Sequence, residues 1–372
     1  MKIAFVTHDY NRHGGHARYV AELVAYLKHH HEVHVFANKW EENDPEKIFF
    51  HKVPAIRLTA LTTVLSFLVP ATFLINKKDF DIVHSQGLCG LGHTVSTAHF
   101  IQCRWLDELK NRRKSLGIST FLWKWLVAPL EKIALSKFCS KRVIAISKNV
   151  KNDLIELYKL NESQIDLIYH GVDLQKFNPA NKCLYRLELR QKLNLNTDQL
   201  VGLFVGNLQK GANSAIKAVA KNPAVHLVLV TGSDSKKEKE TVKNLGIESR
   251  VHWVPLSKEI EKWFSMADFF IFPTLYEPFG MVISEAMATG LPVITSRSAG
   301  AAELITDRVS GLLIQDSWNS DEIASAVDEI ANDVLKREAI GRNAREVVCK
   351  FTWKRCAEET LRVYKQILSS NG

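Results

Sequence analysis

The chain has 372 residues, which exceeds what one typical hydrophobic core supports, so two domains are expected. Its 46% hydrophobic and 24% charged residues are typical of an ordinary soluble globular protein. The first residues, MKIAFVTHDY, indicate an opening β-strand and not a signal peptide. The six cysteines are scattered, with no CxxC pair and no metal-ligand spacing, which favours reduced thiols in a cytoplasmic protein.

The formal net charge of +9 is concentrated in one segment of the first half. Residues 104–151 contain 12 Lys and Arg against 3 Asp and Glu, whereas the 37 basic and 37 acidic residues elsewhere cancel. The excess is therefore a local basic patch, which indicates that this segment meets a partner.

The first half of the chain alternates predicted strands and helices. Apolar residues at helical spacing follow the flexible turn HGG (13–15), so a helix is expected after the first strand. The predicted strands of this series are KIAFVT (2–7), HEVHVFAN, FDIVHSQG, RVIAIS (142–147) and QIDLIYHG (164–171). The order strand, turn, helix predicts βαβ units and a parallel sheet covered by helices.

A second series of the same kind begins near residue 200. Its predicted strands are LVGLFVGNL, VHLVLVTGS, RVHWVPL, DFFIFPT and LPVITS. The polar segment HGVDLQKFNPANK (170–182) between the two series has the Gly and Pro content of a linker. We therefore predict an α/β protein of two doubly wound parallel-sheet domains facing a cleft, residues 1–172 and 173–353. The last predicted helix, in 354–372, could pack on either domain.

The stretch YEPFGMVISEAMATGLPVI (276–294) places two glutamates eight residues apart around a predicted helix start. Ligands of open α/β sheets bind beyond the carboxyl ends of the strands, and Glu277 follows the strand DFFIFPT. The helix should begin near Gly280 and end at Gly290, with a proline just beyond.

Such a helix start offers free backbone N–H groups to a diphosphate. The groups concerned belong to Phe279, Gly280, Met281 and Val282. Glu285 follows further into the helix, near enough to reach a ribose hydroxyl. For an isolated pair of glutamates, the alternative is two solvated surface charges.

With the segments around it, this stretch resembles the E-x7-E signature of retaining glycosyltransferases of family 4 (group 1), whose two Rossmann-like domains form the GT-B fold. Other motifs in the family's order are the N-terminal glycine pair, FDIVHSQ, HGVDLQKFNP, FVGNLQKG and SAGAAELITDRVSGLLI. The resemblance covers nearly the whole chain. It implies an enzyme that binds a nucleoside-diphosphate sugar mainly on the C-terminal domain and a hydroxyl acceptor on the N-terminal one.

The resemblance also implies residue roles. Glu277 would hold the transferred sugar, Glu285 the ribose, and the amides of 279–282 the phosphates. Lys210, in GNLQKG, matches the family lysine that neutralises the diphosphate leaving group, with a solvated loop lysine as the alternative. His99, in STAHFIQ, matches the histidine that faces the donor sugar, with a structural histidine as the alternative.

The sequence departs from the family at Asn207, which stands where an arginine is common. Asparagine can hydrogen-bond a phosphate but brings no charge. Arg297 is a candidate replacement, with a plain surface role as the alternative. Gly14 and Gly15 would let backbone approach the diphosphate or acceptor closely, or would form an ordinary turn. Glu303 is either a residue of the same site or a helix cap.

No metal and no cofactor besides the nucleotide sugar are expected. Asp79 and Asp81 form a DxD pattern but precede their strand, at the end of the sheet opposite the ligand edge. The helix start and Lys210 can take the metal's task. HGGHA is not G-x-G-x-x-G, which argues against a nicotinamide enzyme. The competing interpretations are a nucleotide-sugar epimerase or phosphorylase, and a non-catalytic carbohydrate-binding relative.

The basic segment 104–151 contains RRK (112–114) and sets Lys124 between two tryptophans. Tryptophan suits the lipid headgroup zone, and cations are attracted to anionic lipid. A solvated helix face or a subunit interface is the alternative, and no nucleic-acid-binding motif is present. The charge-free residues 58–75 are expected to form a helix packed on the first domain rather than a membrane span. These features favour a peripheral enzyme at the inner membrane face that glycosylates a lipid-linked or lipopolysaccharide-type acceptor.

Overall fold

The computed structural model describes residues 1–41, 48–111 and 121–370. The basic cluster RRK (112–114) lies outside the described residues.

The chain divides into two compact units. The first comprises Met1–Gly171 together with Trp353–Gly372, and the second comprises Val172–Thr352. The division predicted from the sequence, after residue 172, lies one residue later. That prediction left open on which domain the last helix packs.

The first unit is built on a parallel sheet with the strand order β5-β3-β1-β6-β7-β8-β9. The strands are β1 (Lys2–Val6), β2 (Asp9–Tyr10), β3 (Glu32–Ala37), β4 (Lys39–Trp40), β5 (Ile48–Lys52), β6 (Ile82–Gln86), β7 (Val95–Ala98), β8 (Arg142–Ala145) and β9 (Ile165–Leu167). The order reverses between β1 and β6, and ligands of such sheets bind beyond the carboxyl ends of the strands at that point. Strands β2 and β4 form a separate parallel pair beyond β1 and β3.

Helices cover this sheet, as the alternation of apolar segments predicted. They are α1 (Gly15–Leu27), α2 (Ala60–Leu74), α3 (Gln102–Asn111), α4 (Ala128–Leu135), which a π-helical turn (Trp123–Val127) precedes, and α5 (Lys148–Glu156). Strands β1 and β6 are almost entirely buried, because a parallel sheet with both faces covered exposes little of its central strands.

Helix α2 is the charge-free segment of the sequence, and it packs on the first unit as expected. Its buried side chains Phe67 and Ala71 contact Val6 and Val83 of the sheet in one apolar cluster. Leu68 packs in a second cluster with Val127 and Ala134. Among the described residues, no helix combines the length and the apolar character needed to cross a bilayer.

The second unit contains a six-stranded parallel sheet with the order β12-β11-β10-β13-β14-β15. Its strands are β10 (Leu200–Val205), β11 (Val225–Thr231), β12 (Val251–Pro255), β13 (Phe269–Phe272), β14 (Val293–Ser296) and β15 (Leu312–Ile314). Its helices are α6 (Asn181–Lys192), α7 (Ala212–Ala220), α8 (Lys236–Asn244), α9 (Ile260–Met266), α10 (Met281–Ala288), α11 (Ser320–Ala331) and α12 (Val334–Val348). Here the strand order reverses between β10 and β13.

A buried ion pair fixes the alignment of these two strands. Arg190 of α6 is fully buried and donates to Asp268, which precedes β13, at 2.7 Å. The same carboxylate accepts a hydrogen bond from the Val201 N–H of β10 at 2.7 Å. Because Asp268 joins both strands at their amino ends, it helps to set which residues emerge together at their carboxyl ends.

The last helix, α13 (Trp353–Ser369), returns to the first unit and packs on α1. The buried imidazole of His84 in β6 joins it to the sheet: Nδ1 lies 2.6 Å from the hydroxyl of Tyr364, and Nε2 lies 2.7 Å from that of Thr97. A hydrogen bond from Tyr26 of α1 to Glu358 adds a contact nearer the surface. The last helix of the chain therefore completes the first unit by contacts with β6 and α1.

Three buried histidines of the first unit predict that the stability of the fold is sensitive to acid. Burial lowers the pKa of His84 and His170 to about 3 and that of His93 to about 4. The unfolded chain protonates them near the ordinary pKa of 6.5, whereas the folded chain keeps them neutral. The free energy of unfolding should therefore fall as the pH drops from about 6.5 to 4, by up to about 1.4 kcal/mol per pH unit for each such histidine.

Urea unfolding at several pH values measures this slope. His84→Gln should lower stability at pH 7 but flatten the slope by one histidine's share, whereas the same change at the exposed His30 should leave the slope as it is. An unchanged slope in His84→Gln would contradict the prediction.

Candidate active site

Two loops meet where the strand order of the second sheet reverses. One loop follows β10 and carries Asn207 and Lys210; the other follows β13 and carries Glu277. The Lys210 ammonium donates to the Glu277 carboxylate at 2.5 Å. The lysine side chain is 43% exposed and the glutamate only 12%, so the pair lies at the edge of the protein surface with the carboxylate more enclosed. The structure thus brings together two residues that the sequence assigned to one site.

A glycine sets the distance between these loops. Gly211, at the amino end of α7, has a φ of +100°, which non-glycine residues rarely adopt. A Cβ added to Gly211 would lie 2.1 Å from the carbonyl oxygen of Pro273, at the end of β13. The backbone after Lys210 therefore touches the chain that leads to Glu277, and no side chain fits between them. The sequence motifs did not indicate this residue.

The loop after β13 leads into α10, as predicted. Gly280 precedes the helix with a φ of +95°, and Gly290 follows it with a φ of +75°. Phe279 is buried, and its carbonyl accepts a hydrogen bond from the N–H of Ala301 at 2.7 Å. The carbonyl of Glu277 accepts from Gly300 at 2.9 Å, so backbone bonds join this loop to the one after β14.

The first turn of α10 has the geometry of an anion site. Met281 and Val282 begin the helix, where backbone N–H groups have no partner within the helix. Together with the N–H of Gly280, they form the positive end of the helix. Glu285 lies in the second turn and is 3% exposed. The structure thus places Glu285 within the wall of the unit, not on its surface.

The three further predicted residues of the second unit, Asn207, Arg297 and Glu303, differ in their surroundings. The side chain of Asn207 accepts the N–H of Gln209 at 2.9 Å, and its carbonyl accepts that of Lys210 at 3.0 Å, so Asn207 holds the turn that carries the lysine. Arg297 is half exposed and pairs with Asp307 at 3.0 Å, an acidic partner outside the predicted site. Glu303 lies half-buried in the short helical turn Gly300–Leu304 after β14.

In the first unit, His99 follows β7 and meets Gln86 at the end of β6. The ring nitrogen Nε2 lies 2.8 Å from the side-chain oxygen of Gln86, which accepts a hydrogen bond from the Nε2–H group. This contact defines the tautomer: Nε2 carries the hydrogen, and Nδ1 carries the lone pair. Gln86 is buried, and its amide nitrogen has no hydrogen-bond partner among the described residues. The sequence motifs did not indicate a role for Gln86.

Aromatic rings surround His99. Tyr19, His170 and His16 have ring centroids 4.8, 5.5 and 6.1 Å from that of His99. Burial first, and then the neighbouring histidines, holds the pKa of His99 well below its ordinary value. The imidazole is therefore neutral near pH 7 and acts as a hydrogen-bonding group rather than as a charge.

Gly14 and Gly15 stand at the amino end of α1, as expected. Gly14 is the N-cap residue with an extended backbone, and its N–H donates to the Asn11 side chain at 2.9 Å. A Cβ at Gly15 would meet nothing within 4 Å. The packing of the protein itself therefore does not require a glycine at position 15.

Carboxylates do not cluster into a metal site in the part of the chain that the structure describes, where no group of three or more His, Cys, Asp or Glu could hold a metal ion. Asp79 lies in a turn before β6, and Asp81 accepts the N–H of Lys2 at 2.7 Å, at the amino end of the sheet. The DxD pattern is therefore at the opposite end from the carboxyl edge, as predicted.

Family models match both halves of the chain. Residues 13–176 match the model for Glycosyltransferase Family 4, and residues 186–347 match that for Glycosyl transferases group 1. The chain belongs to the family 4 (group 1) glycosyltransferases. The resemblance seen in the motifs is thereby confirmed.

Similar glycosyltransferases of known sequence extend over most of the chain. An uncharacterized glycosyltransferase of Methanocaldococcus jannaschii is 31% identical over 64% of this chain and 63% of its own length. The α-maltose-1-phosphate synthase of Mycobacterium tuberculosis is 26% identical over 99% of this chain and 100% of its own.

Solved structures confirm the fold of this glycosyltransferase. WaaG, a glycosyltransferase involved in lipopolysaccharide biosynthesis, superposes with a TM-score of 0.82 at 20% identity, covering 97% of this chain and 99% of WaaG. HepE of Anabaena, in complex with UDP and glucose, gives a TM-score of 0.73 at 20% identity, covering 98% and 99%. The two parallel-sheet units therefore form a GT-B protein.

Gly211 provides a test of how the site is held. Gly211→Ala should lower the free energy of unfolding by more than about 3 kcal/mol, because the new Cβ adds a clash with Pro273 to the cost of a positive φ. Gly246 of the same unit also has a positive φ, but a Cβ there meets nothing within 4 Å. Gly246→Ala should therefore cost only about 1 to 2 kcal/mol. Equal losses in urea unfolding would show that the contact with Pro273 is unimportant.

Proposed function

We propose that this protein is a retaining glycosyltransferase that moves a sugar from a nucleoside-diphosphate sugar to a hydroxyl of a lipid-linked or lipopolysaccharide-type acceptor. The observation that supports it most is the Lys210–Glu277 pair beside the amino end of α10. One cation, one carboxylate and a row of backbone N–H groups are the groups that a sugar diphosphate requires.

In this proposal the donor binds to the second unit. Its diphosphate accepts hydrogen bonds from the N–H groups of Gly280, Met281 and Val282 and receives charge from Lys210. Glu277, released from its pairing with the lysine, accepts hydroxyls of the transferred sugar. Glu285 accepts a ribose hydroxyl.

The chemistry is cleavage of the bond between the sugar and the diphosphate. Negative charge grows on the leaving phosphate while the sugar passes through an oxocarbenium-like state, so Lys210 stabilises the transition state more than the bound donor. The acceptor hydroxyl attacks from the same face and gives its proton to the leaving phosphate, which retains the anomeric configuration. Because α10 and Lys210 supply positive charge, we propose that no metal ion is needed.

Residues of the first unit are proposed to bind hydroxyl groups of a carbohydrate substrate. With Nε2–H donating to Gln86, Nδ1 of the neutral His99 can accept a hydrogen bond from a sugar hydroxyl. Gly15 lacks a side chain although its surroundings would admit one, which favours close approach of a substrate to this backbone. Support for a uridine nucleotide as donor comes from the similar HepE, which was crystallised with UDP-glucose.

A membrane-facing surface on the first unit supports a lipid-linked acceptor. It is defined here by exposed apolar side chains of α2 and of the segment before α4, namely Val69, Phe73, Leu74, Phe121, Trp125 and Leu126. Helix α2 contacts the π-helical turn, so the two groups belong to adjacent elements. Lys124 lies over the ring of Trp125 at 5.7 Å. Apolar and aromatic side chains beside cations suit the headgroup zone of an anionic bilayer, and we propose peripheral binding there.

Thermal-shift measurements with UDP-, GDP- and ADP-sugars test the donor site. One donor class should stabilise the protein, by about 2.7 kcal/mol when the donor is present at 100 times its Kd, and EDTA should leave the shift unchanged. Lys210→Met should weaken the shift, because the diphosphate loses its cation. Lys217→Met, at an exposed position of α7, is the matched control.

Glu285→Gln, which keeps the shape of the buried side chain, should likewise weaken donor binding without unfolding the protein. No shift with any donor, or a shift that EDTA abolishes, would contradict the proposed donor site or its independence from metal. Turnover with retention is then read from the anomeric configuration of the product by NMR.

Vesicle sedimentation tests the membrane-facing surface. Wild-type protein should bind vesicles with anionic phosphatidylglycerol more strongly than neutral phosphatidylcholine vesicles. Trp125→Ser should reduce binding by up to roughly 30-fold, because burial of an indole contributes on the order of 2 kcal/mol. Trp318→Ser is the matched control, since Trp318 of the second unit is 63% exposed and Trp125 is 60% exposed. Equal binding of the two variants would refute this surface.

A further inference from the structure

A cavity of about 370 Å³ opens beyond the carboxyl ends of β1 and β3 in the first unit. Its floor includes the short pair of β2 and β4, in which Asp9 lies beside Lys39 and Tyr10 beside Trp40. The residues that line it are Asp9, Asn11, Lys39, Trp40, Glu41, Lys52 and Arg57. This is the edge of the sheet at which ligands of such folds bind, but none of these residues was assigned a role from the sequence.

Trp40 forms an aromatic wall of the cavity, and the packing of two other aromatic rings behind it fixes its position. Trp40 stacks on Phe50 with ring centroids 5.3 Å apart and an interplanar angle of 18°. Phe50 in turn meets the edge of the buried Tyr10 at 5.3 Å. Trp40 is half-buried, so part of its indole remains available to the cavity. A rigid, partly exposed indole is a surface on which the apolar face of a sugar ring can stack.

The cations of the cavity outnumber its carboxylates. Arg57 donates to both oxygens of Asp9 at 2.7 Å through Nη2 alone, which leaves its other N–H groups outside this pair. Lys39 and Lys52 form no ion pair with any residue that the structure describes, and Lys52 lies 5.5 Å from the ring centroid of Trp40. The remaining acid, Glu41, lies 3.6 Å from the ring of His13. The cavity therefore presents net positive charge beside an aromatic surface.

The cavity also adjoins the glycine turn of the candidate site. Asn11, which lines the cavity, accepts the N–H groups of His13 and Gly14 through its side-chain oxygen, both at 2.9 Å. Gly14 is the N-cap residue of α1. A molecule in the cavity would thus lie next to the backbone proposed to approach a substrate.

We propose that this cavity binds a phosphate group carried by the carbohydrate acceptor, with Lys39, Lys52 and Arg57 as its ligands and Trp40 as the stacking surface for the adjoining sugar. This rests on the proposed function and narrows the acceptor to a phosphorylated carbohydrate. A neutral sugar would gain less from the two lysines than a phosphate, which accepts several charge-assisted hydrogen bonds. The phosphate is either a monoester on a soluble sugar or the diester that links a sugar to a lipid.

Isothermal titration of the full-length protein without any donor tests the proposal. The probes are glucose 1-phosphate, its octyl phosphodiester and free glucose. At least one phosphorylated probe should bind at least about tenfold more tightly than glucose, and raising the salt concentration should weaken it. Tighter binding of the monoester would indicate a soluble acceptor, and tighter binding of the diester a lipid-linked one; both results support the site.

Lys39→Met/Lys52→Met should weaken the better phosphorylated probe by about tenfold and leave glucose unaffected. Lys217→Met/Lys243→Met, which removes the same charge from exposed helix positions of the second unit, is the control. Equal binding of glucose and both phosphorylated probes, no binding of either phosphorylated probe, or unchanged binding in the Lys39→Met/Lys52→Met protein would overturn the proposal. Because no donor is present, these outcomes are independent of whether the donor site exists.

Discussion

The candidate site depends on one constraint, the meeting of two loops at the point where the order of the second sheet reverses. Lys210 and Glu277 are 67 residues apart in the chain, yet their charged groups are in contact. Their attraction is modest, because the lysine is partly solvated. What makes the contact specific is the backbone: the alignment of β10 and β13 through Asp268, and the approach of Gly211 to Pro273. The ion pair is a result of this arrangement rather than its cause.

The two units use different electrostatics at the carboxyl edges of their sheets. In the second unit a lysine and the positive end of α10 lie beside the carboxylate of Glu277, so charged groups dominate that edge. Around His99, by contrast, the polar groups are neutral imidazoles and hydroxyls, because burial disfavours their charged forms. Neutral donors and acceptors of this kind can hydrogen-bond hydroxyl groups. Further along the same edge, Lys39, Lys52 and Arg57 add positive charge.

Much of this architecture could be predicted from the sequence, because long apolar strands and glycine-bounded helices are local patterns. The starts of α1 and α10 were predicted correctly for that reason. Strands β5, β7 and β15, of five, four and three residues, were not among the predicted strands, and the pair β2–β4 is too short to show any period. The cavity rests on that pair, so the sequence could not indicate it. Gln86 was missed because its contact partner is His99, which follows the neighbouring strand β7. The return of α13 depends on the equally non-local His84–Tyr364 contact.

The loop geometry shows what Asn207 does at the position where the family commonly has an arginine. Its side-chain oxygen accepts the N–H of Gln209, and its carbonyl accepts that of Lys210, so this residue shapes the turn that presents the lysine. An arginine has no side-chain acceptor and could not make the first of these bonds. With asparagine at position 207, the loop lacks a second cation, but the turn that carries Lys210 is held by two hydrogen bonds. Because Arg297 is paired with Asp307, stabilisation of a leaving diphosphate would fall to Lys210 and the amino end of α10. A site with one cation would depend on the position of that cation, and the close approach of Gly211 to Pro273 restricts where the backbone of Lys210 can lie.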